Sequence, residues 1–349
     1  MYTFPGETYH GKIPTGCTLC AQGAKLVLFM TGACLDNCYY CPLSSHRKGS
    51  WHKWANERRV IDKEDVLAEA RAMQALGTGI TGGDPLLVSD ETIEYATLLK
   101  DTFSESHHIH LYTSGTLADR TVLGYLEPVI DEIRFHPQEG AWDKVSLAMS
   151  FDMDVGAEIP VIPGHREEIL SLAAYLDDIG AQFLNLNELE YSETNSAALR
   201  RLGMSFSSSS NAVMGSEELA LSLVNETKDL DLSVHYCSSR FKDGVQLRER
   251  LKRRAQTEAK KYEDIDEDGL LVRGEIEAGT PERRDRVLSV IQESFERDDD
   301  MVEVRGTKIL TSWAAAQELR EMIEDTDIVF TIVKEYPLYE RIVVEKEIL

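Results

Sequence analysis

Cys34-Leu35-Asp36-Asn37-Cys38-Tyr39-Tyr40-Cys41 follows the apolar run Lys25–Thr31 (KLVLFMT), on a loop introduced by Thr31 and Gly32. The run reads as a short buried strand, which places the cysteines just beyond its carboxyl end. Their spacing is C-x3-C-x2-C. Three thiolates can hold three irons of a [4Fe–4S] cube. The fourth iron is then left to a small molecule carrying an amine and a carboxylate. Zinc motifs more often supply four ligands in two pairs.

Outward from this loop, strand-like and helix-like segments alternate as far as Asn187. Helical patterns fall at Lys63–Leu76, Asp90–Leu99, Ala118–Tyr125, Val145–Phe151 and Glu167–Leu176. Strands fall before Thr81-Gly82-Gly83-Asp84-Pro85 and at His108–Thr113, Glu132–Phe135, Glu158–Ile162 and Phe183–Glu188. About six strand–helix units in series predict a parallel sheet or barrel. Eight would close a TIM barrel, so the expected fold is α/β, a partial (β/α)6 TIM-like barrel. A polar linker at Ser207–Ser210, a strand at Leu232–Tyr236 and a helix at Gln246–Ala259 follow. After Lys260 the composition changes. Tyr262–Gly269 and Asp298–Asp300 are acidic. Strands at Leu270–Ile276 and Ile342–Glu345 and helices near Arg283–Phe295 and Ala314–Ile323 predict a small α+β domain. The expected division is an N-terminal segment with a C-x2-C pair (1–24), a barrel (25–258) and an accessory domain (259–349).

This loop at the head of this series resembles the radical S-adenosylmethionine (SAM) superfamily. The resemblance implies a [4Fe–4S] cluster on Cys34, Cys38 and Cys41, with SAM chelated on the open iron. It implies reductive cleavage to methionine and a 5′-deoxyadenosyl radical, which takes hydrogen from an unreactive C–H bond. An electron donor such as ferredoxin or flavodoxin is implied as partner. Tyr40 stands where the family places an aromatic ring against adenine. Gly82-Gly83-Asp84-Pro85 is similar to the motif that binds the methionine amino group, with Asp84 replacing the usual Glu. Pro160-Val-Ile162-Pro-Gly164-His-Arg-Glu167 is similar to the fifth-strand G-x-I-x-G-x-x-E motif, with Pro160 in place of its first glycine. Asn185 and Asn187 lie on the sixth strand, near adenine in the family. Thr113 and Ser114, with Arg134 and His136, end the third and fourth strands, which commonly face the ribose and carboxylate. Arg134 and His136 also read as paired polar residues at the sheet edge.

Three of the six cysteines remain: Cys17, Cys20 and Cys237. His235 shares a strand face with Cys237. Together the four residues suggest a second metal site, for zinc or for an auxiliary iron–sulfur cluster. The alternative is a buried core Cys237 and a redox or incidental Cys17/Cys20 pair. Arg240, Lys242, Arg248, Arg250, Lys252, Arg253 and Arg254 concentrate positive charge. They read as a solvated helix paired with acids, or as a contact for an anionic substrate or RNA.

The net charge of −24 argues against broad nucleic-acid binding. No apolar run approaches the ~18 residues that span a membrane, and Met1 to Lys12 has no signal pattern. A cytoplasmic enzyme is expected. Cys41-Pro-Leu-Ser and the segment from His235 to Arg250 resemble an archaeal radical SAM group related to pyruvate formate-lyase activating enzyme. A small molecule or cofactor precursor is the expected substrate. The accessory domain weighs against the alternative of an activase that places a radical on a partner protein. An RNA-modifying enzyme is the third reading, and the intact cysteine triad weighs against a non-enzymatic metal-binding scaffold.

Overall fold

Lys25–Phe29 is a strand, and the chain returns beside it again and again. In the computed structural model, which describes residues 8–138, 140–207, 210–294 and 299–349, ten strands form one sheet. They are β1 (Thr8–His10), β2 (Lys25–Phe29), β3 (Lys53–Ala55), β4 (Arg58–Val60), β5 (Gly77–Thr81), β6 (His108–Thr113), β7 (Glu132–Phe135), β8 (Asp154–Val161), β9 (Phe183–Glu188) and β10 (Ser233–Cys237). The order is β1-β10-β9-β8-β7-β6-β5-β2-β3-β4. From β10 to β2 every neighbouring pair is parallel. Parallel neighbours need a crossover, usually helical. Helices such as Ser89–Phe103 and Arg166–Asp178 supply it, burying stripes such as Tyr95, Ala96 and Leu99, and Ile169, Leu172 and Leu176. The architecture is the expected partial TIM-like barrel. β10 adds a seventh parallel strand, while β1 and the β3–β4 hairpin flank the array in antiparallel fashion.

Strand alternation builds the interior. On β6 to β8, Ile109, Leu111, Ile133, Phe135, Val155 and Ala157 are fully buried. The intervening His110, Tyr112, Glu132, Arg134 and Glu158 contact one another on the opposite face. Register carries this polar face onward: Glu158 pairs with Asn185, and Asn185 with His235.

Some elements differ from the sequence expectation. β8 begins at Asp154 rather than Glu158, because pairing with β7 from Glu132 extends it through Gly156. The helix expected from Gln246 begins at Arg248, after a π-helical turn over Lys242–Leu247. A helix α1 (Thr15–Ala21) escapes the pattern because Thr, Gly and Cys are weak helix formers. Residues 1–7, the linker positions 208 and 209, Phe295 and Asp298 lie outside the described residues.

The chain divides into two compact units, Met1–Arg71 with Ala75–Leu247, and Ala72–Gln74 with Arg248–Leu349. The sequence boundary at 258/259 thus differs from the structural one, which places Arg248–Glu258 in the second unit. That unit holds a six-stranded antiparallel sheet. The helices Pro281–Ser294 and Trp313–Met322 contribute Val287, Ile291 and Leu319 to a core with Ile276, Ile309 and Phe330. This is an α+β arrangement. Among the described residues no helix is long and apolar enough to cross a membrane.

Candidate active site

The cysteine loop is pinned on several sides. Gly32 N donates to Ser50 O (2.6 Å) and Gly49 N to Gly32 O (2.8 Å). Thr194 Oγ1 donates to the Cys41 carbonyl (3.1 Å), and Asn195 Nδ2 to the Tyr40 carbonyl (3.0 Å). Cys34, Cys38, Tyr40 and Cys41 then line one cavity of about 790 Å³, a size that suits a small-molecule site. Gly82 and Gly83 after β5, Thr113 and Ser114 at β6, His136 after β7, Pro160 on β8 and Asn187 on β9 line it too. These residues gather at the carboxyl ends of the parallel strands, where barrel active sites assemble.

Burial pushes the Cys34 thiol up to about 11; Asp84, Asp36 and Cys38 add to the rise, against one backbone hydrogen bond at Asp36. Cys38 is pushed up as well, by burial first and by Asp36 and Cys41 among other neighbours. Cys34 and Cys38 therefore resist ionisation until positive charge joins them. Among the described residues no three His, Cys, Asp or Glu side chains converge as ligands of one metal ion. A cube asks for something else: three thiolates on three separate irons, spread along one wall. The three sulfurs fit that donor set.

Close backbone approach explains the glycines. Gly83 N donates to Thr31 O (2.6 Å) and Asp84 N to Ala33 O (2.9 Å). A Cβ on Gly82 would collide with the Thr31 carbonyl, and one on Gly83 with the Ala33 carbonyl. Asp84 departs from the expected role in SAM contact. It is 2% exposed and does not line the cavity. Its carboxylate accepts from Ser114 Oγ (2.7 Å), Ser114 N (3.2 Å), Thr113 Oγ1 (3.0 Å) and Leu86 N (3.0 Å). It fastens the end of β5 to the end of β6. Pro85 opens the short helical turn behind it.

Beyond Pro160, the fifth-strand motif lies off the cavity wall. Ile162 packs with Leu189, Tyr191, Leu199 and Val213. Gly164 sits at φ +96° beyond the strand end, and Glu167 is exposed and paired with Arg166. None of the three lines the cavity. The reason is register: β8 ends at Val161, and its inward positions are Glu158 and Pro160, which do line it.

Arg134 also lies off the cavity wall. It donates to Glu158 Oε2 (2.6 Å), Glu132 Oε1 (2.5 Å) and the Tyr112 hydroxyl (3.2 Å). Asn187 Nδ2 and Asn185 Nδ2 donate to Glu158 at 2.8 and 3.1 Å. Burial alone would raise the Glu158 carboxyl, but Arg134, the two amides and Lys25 overturn it and hold it at about 2. Asn185 serves this network and not the cavity, whereas His136 reaches the wall. Tyr112, Glu158, Glu190 and Lys242 line the cavity without having been singled out as SAM contacts in the sequence. A Tyr or Glu at alternating positions of a buried strand was the available signal for the first two.

Around Cys17, Cys20, His235 and Cys237 the contacts are these. Asn185 Nδ2 donates to Cys17 Sγ (3.3 Å), and His235 is within hydrogen-bonding reach of the same sulfur. Cys237 packs with Ala21 and Phe241 and accepts from Gln246 Nε2 (3.6 Å). Among the described residues no three ligands that include Cys20 or His235 converge on one ion. The basic stretch follows the paired reading: Arg240 meets Glu217, Lys242 meets Glu190, and Arg248 and Lys252 meet Glu249.

Comparison with known proteins identifies the family. Residues 28–149 match the model of the radical SAM superfamily, and residues 269–349 match a domain of unknown function. A Methanocaldococcus jannaschii protein, provisionally named a glycyl-radical enzyme activating enzyme, is 40% identical over 341 residues, covering 94% of this chain and 82% of its own. A biotin synthase of Helicobacter pylori is 35% identical over 101 residues, 28% of this chain and 34% of its own. Among solved structures, SAM-bound SuiB of Streptococcus suis has a TM-score of 0.40 at 14% identity, covering 62% of this chain and 50% of its own. The radical SAM methyltransferase TsrM of Kitasatospora setae has a TM-score of 0.37 at 10% identity, covering 70% and 55%. A [4Fe–4S] cluster and SAM are the cofactors this family implies. Given the domain match and a relative that aligns along nearly the whole sequence, the chain belongs to the radical SAM superfamily of enzymes.

Proposed function

We propose that Cys34, Cys38 and Cys41 hold the cluster and that SAM occupies the adjoining cavity. Its methionine end would meet the backbone of Gly82 and Gly83, and its adenine would lie toward Tyr40. The observation that carries this reading is the sharing of one 790 Å³ cavity by the three thiols, the glycine pair and the ends of β6 to β9. A cluster held there and reduced by a ferredoxin- or flavodoxin-type donor would supply the electron for reductive cleavage of SAM and so for hydrogen abstraction from a substrate. The chain's own residues orient and enclose. Asp84 holds Thr113 and Ser114 against the glycine pair. Tyr40 is fixed by a 2.8 Å hydrogen bond to His136 Nε2. Thr194 and Asn195 hold the loop from behind.

For the substrate, the reading now best supported is a partner protein. The sequence reading weighed the accessory domain against an activase, but the M. jannaschii relative with that provisional name aligns over 94% of the chain. That domain therefore no longer counts against the reading. Leu35 and Trp51, both on the cavity wall, are 60% and 64% exposed. Large apolar side chains left in water beside a site suit contact with a macromolecule. The test is 5′-deoxyadenosine formation by anaerobically reconstituted enzyme with SAM and dithionite, in the presence of cell-extract fractions. Stimulation by the protein fraction, lost on proteolysis, supports the reading. Stimulation by the small-molecule fraction alone returns the substrate to a metabolite or cofactor precursor.

A further inference from the structure

Gln138 follows β7 by three residues, in His136-Pro137-Gln138. His136 N donates to Thr113 O (2.7 Å), and Ala141 N donates to Gln138 O (3.0 Å). From there Gln138 Nε2 reaches Cys38 Sγ at 3.7 Å. Tyr40 also lies beside Cys38, so two side chains compete for the role of donor to that sulfur. The hydrogen-bond network decides between them. His136 Nδ1 faces the carbonyl oxygen of Glu158 (3.2 Å), which only accepts, so Nδ1 carries the proton. Burial lowers the His136 pKa, leaving the ring neutral and Nε2 an acceptor. The Tyr40 hydroxyl, 2.8 Å from Nε2, therefore donates to His136. Its proton is committed there and is not offered to Cys38. The Gln138 amide has two N–H groups, and the Tyr40 oxygen is also within its hydrogen-bonding reach. One amide can thus serve both the tyrosine oxygen and the cysteine sulfur.

We propose that Gln138 is a positioning residue for the cluster, donating a hydrogen bond to the Cys38 sulfur and so setting the reduction potential. This rests on the reading of Cys38 as a cluster ligand. A hydrogen bond to a ligating sulfur spreads negative charge and favours the reduced state more than the oxidised one. Hydrogen bonds to the sulfurs are among the factors that set iron–sulfur potentials, and partners behind the ligands tune metal sites generally. Cys34 faces Asp36 at 4.0 Å, and a carboxylate cannot donate to a thiolate. Gln138 therefore makes Cys38 unlike Cys34.

The test is an EPR-monitored redox titration of reconstituted enzyme without SAM. Gln138→Leu removes the donor at similar volume, and Tyr40→Phe removes only the hydroxyl committed to His136. At iron content equal to the parent's, Gln138→Leu is expected to move the midpoint to more negative potential, and Tyr40→Phe to move it less. Gln138→Met, which keeps the length and loses the amide without adding charge, is expected to move it the same way as Gln138→Leu, and it replaces Gln138→Leu should that variant take up less iron. A midpoint unchanged from the parent's in a Gln138 variant with full iron overturns the proposal. A parent chain that forms no cluster would instead overturn the reading of the triad.

Discussion

Arg134 Nη1 donates to Glu158 Oε2 across 2.6 Å, joining β7 to β8 inside the barrel. Glu132, Asn185 and Asn187 complete the pair's partners. Removing Arg134 strands two carboxylates, and removing Glu158 leaves Arg134 with Glu132 alone; breaking a buried pair typically costs about 3–5 kcal/mol. Glu158→Leu and Arg134→Met are each expected to lower the unfolding free energy by about that much, read from urea midpoints. Both midpoints remaining at the parent value would show that the pair contributes nothing.

Glu158 also gives stability a defined acid dependence. Its folded carboxyl is held at about 2, below the roughly 4.3 of an unfolded glutamate. A depressed pKa stabilises the fold fully above the unfolded value. That contribution is lost as pH falls from about 4.3 toward about 2. The stability difference between the parent and Glu158→Gln should shrink over that window. A difference that stays constant on acidification would contradict the assignment.

Asp84 gathers donors from Leu86, Thr113 and Ser114 in a nearly dry site. Asp84→Ala should cost about 2–4 kcal/mol, since several buried donors lose a charged acceptor at once. It should also weaken SAM binding to the reconstituted enzyme, because Gly82 and Gly83 lose their anchor. Asp84→Glu should destabilise by about 1–3 kcal/mol through overpacking. Equilibrium dialysis and urea unfolding check both effects. SAM affinity equal to the parent's in Asp84→Ala would separate this carboxylate from the site.

Gly83 meets the Ala33 carbonyl where a side chain would have to sit. Gly83→Ala should leave the circular dichroism spectrum intact while abolishing the change that SAM causes in the cluster's EPR spectrum. A normal SAM response would show that the loop after β2 can move aside at no cost.

The barrel was legible in the sequence because its signals are local. Short apolar runs alternate with helical stripes, and the cysteines fall at the end of the first run. The glycine pair was legible too, since only a missing side chain permits that approach between loops. What the sequence did not reveal depends on register and on partners distant in the chain. The fifth-strand motif looked like a site around Ile162, Gly164 and Glu167, yet β8 ends at Val161 and turns Glu158 and Pro160 inward instead. Asp84 looked like a ligand contact, but Thr113 and Ser114, about thirty residues away, take up its carboxylate. Cys17 and Cys237 accept from Asn185 and Gln246, partners far from the C-x2-C pair or on the next turn that cysteine spacing does not announce. Helix α1 was invisible because tertiary packing, not propensity, holds it.

Iron content and EPR of anaerobically reconstituted protein bear most directly on the site. The parent should bind about four irons per chain, give a reduced-cubane signal and change that signal when SAM is added. Cys34→Ala/Cys38→Ala/Cys41→Ala, folded by circular dichroism, should bind no cubane and form no 5′-deoxyadenosine. A parent without a cubane, or a triple variant that keeps one, would contradict the assignment.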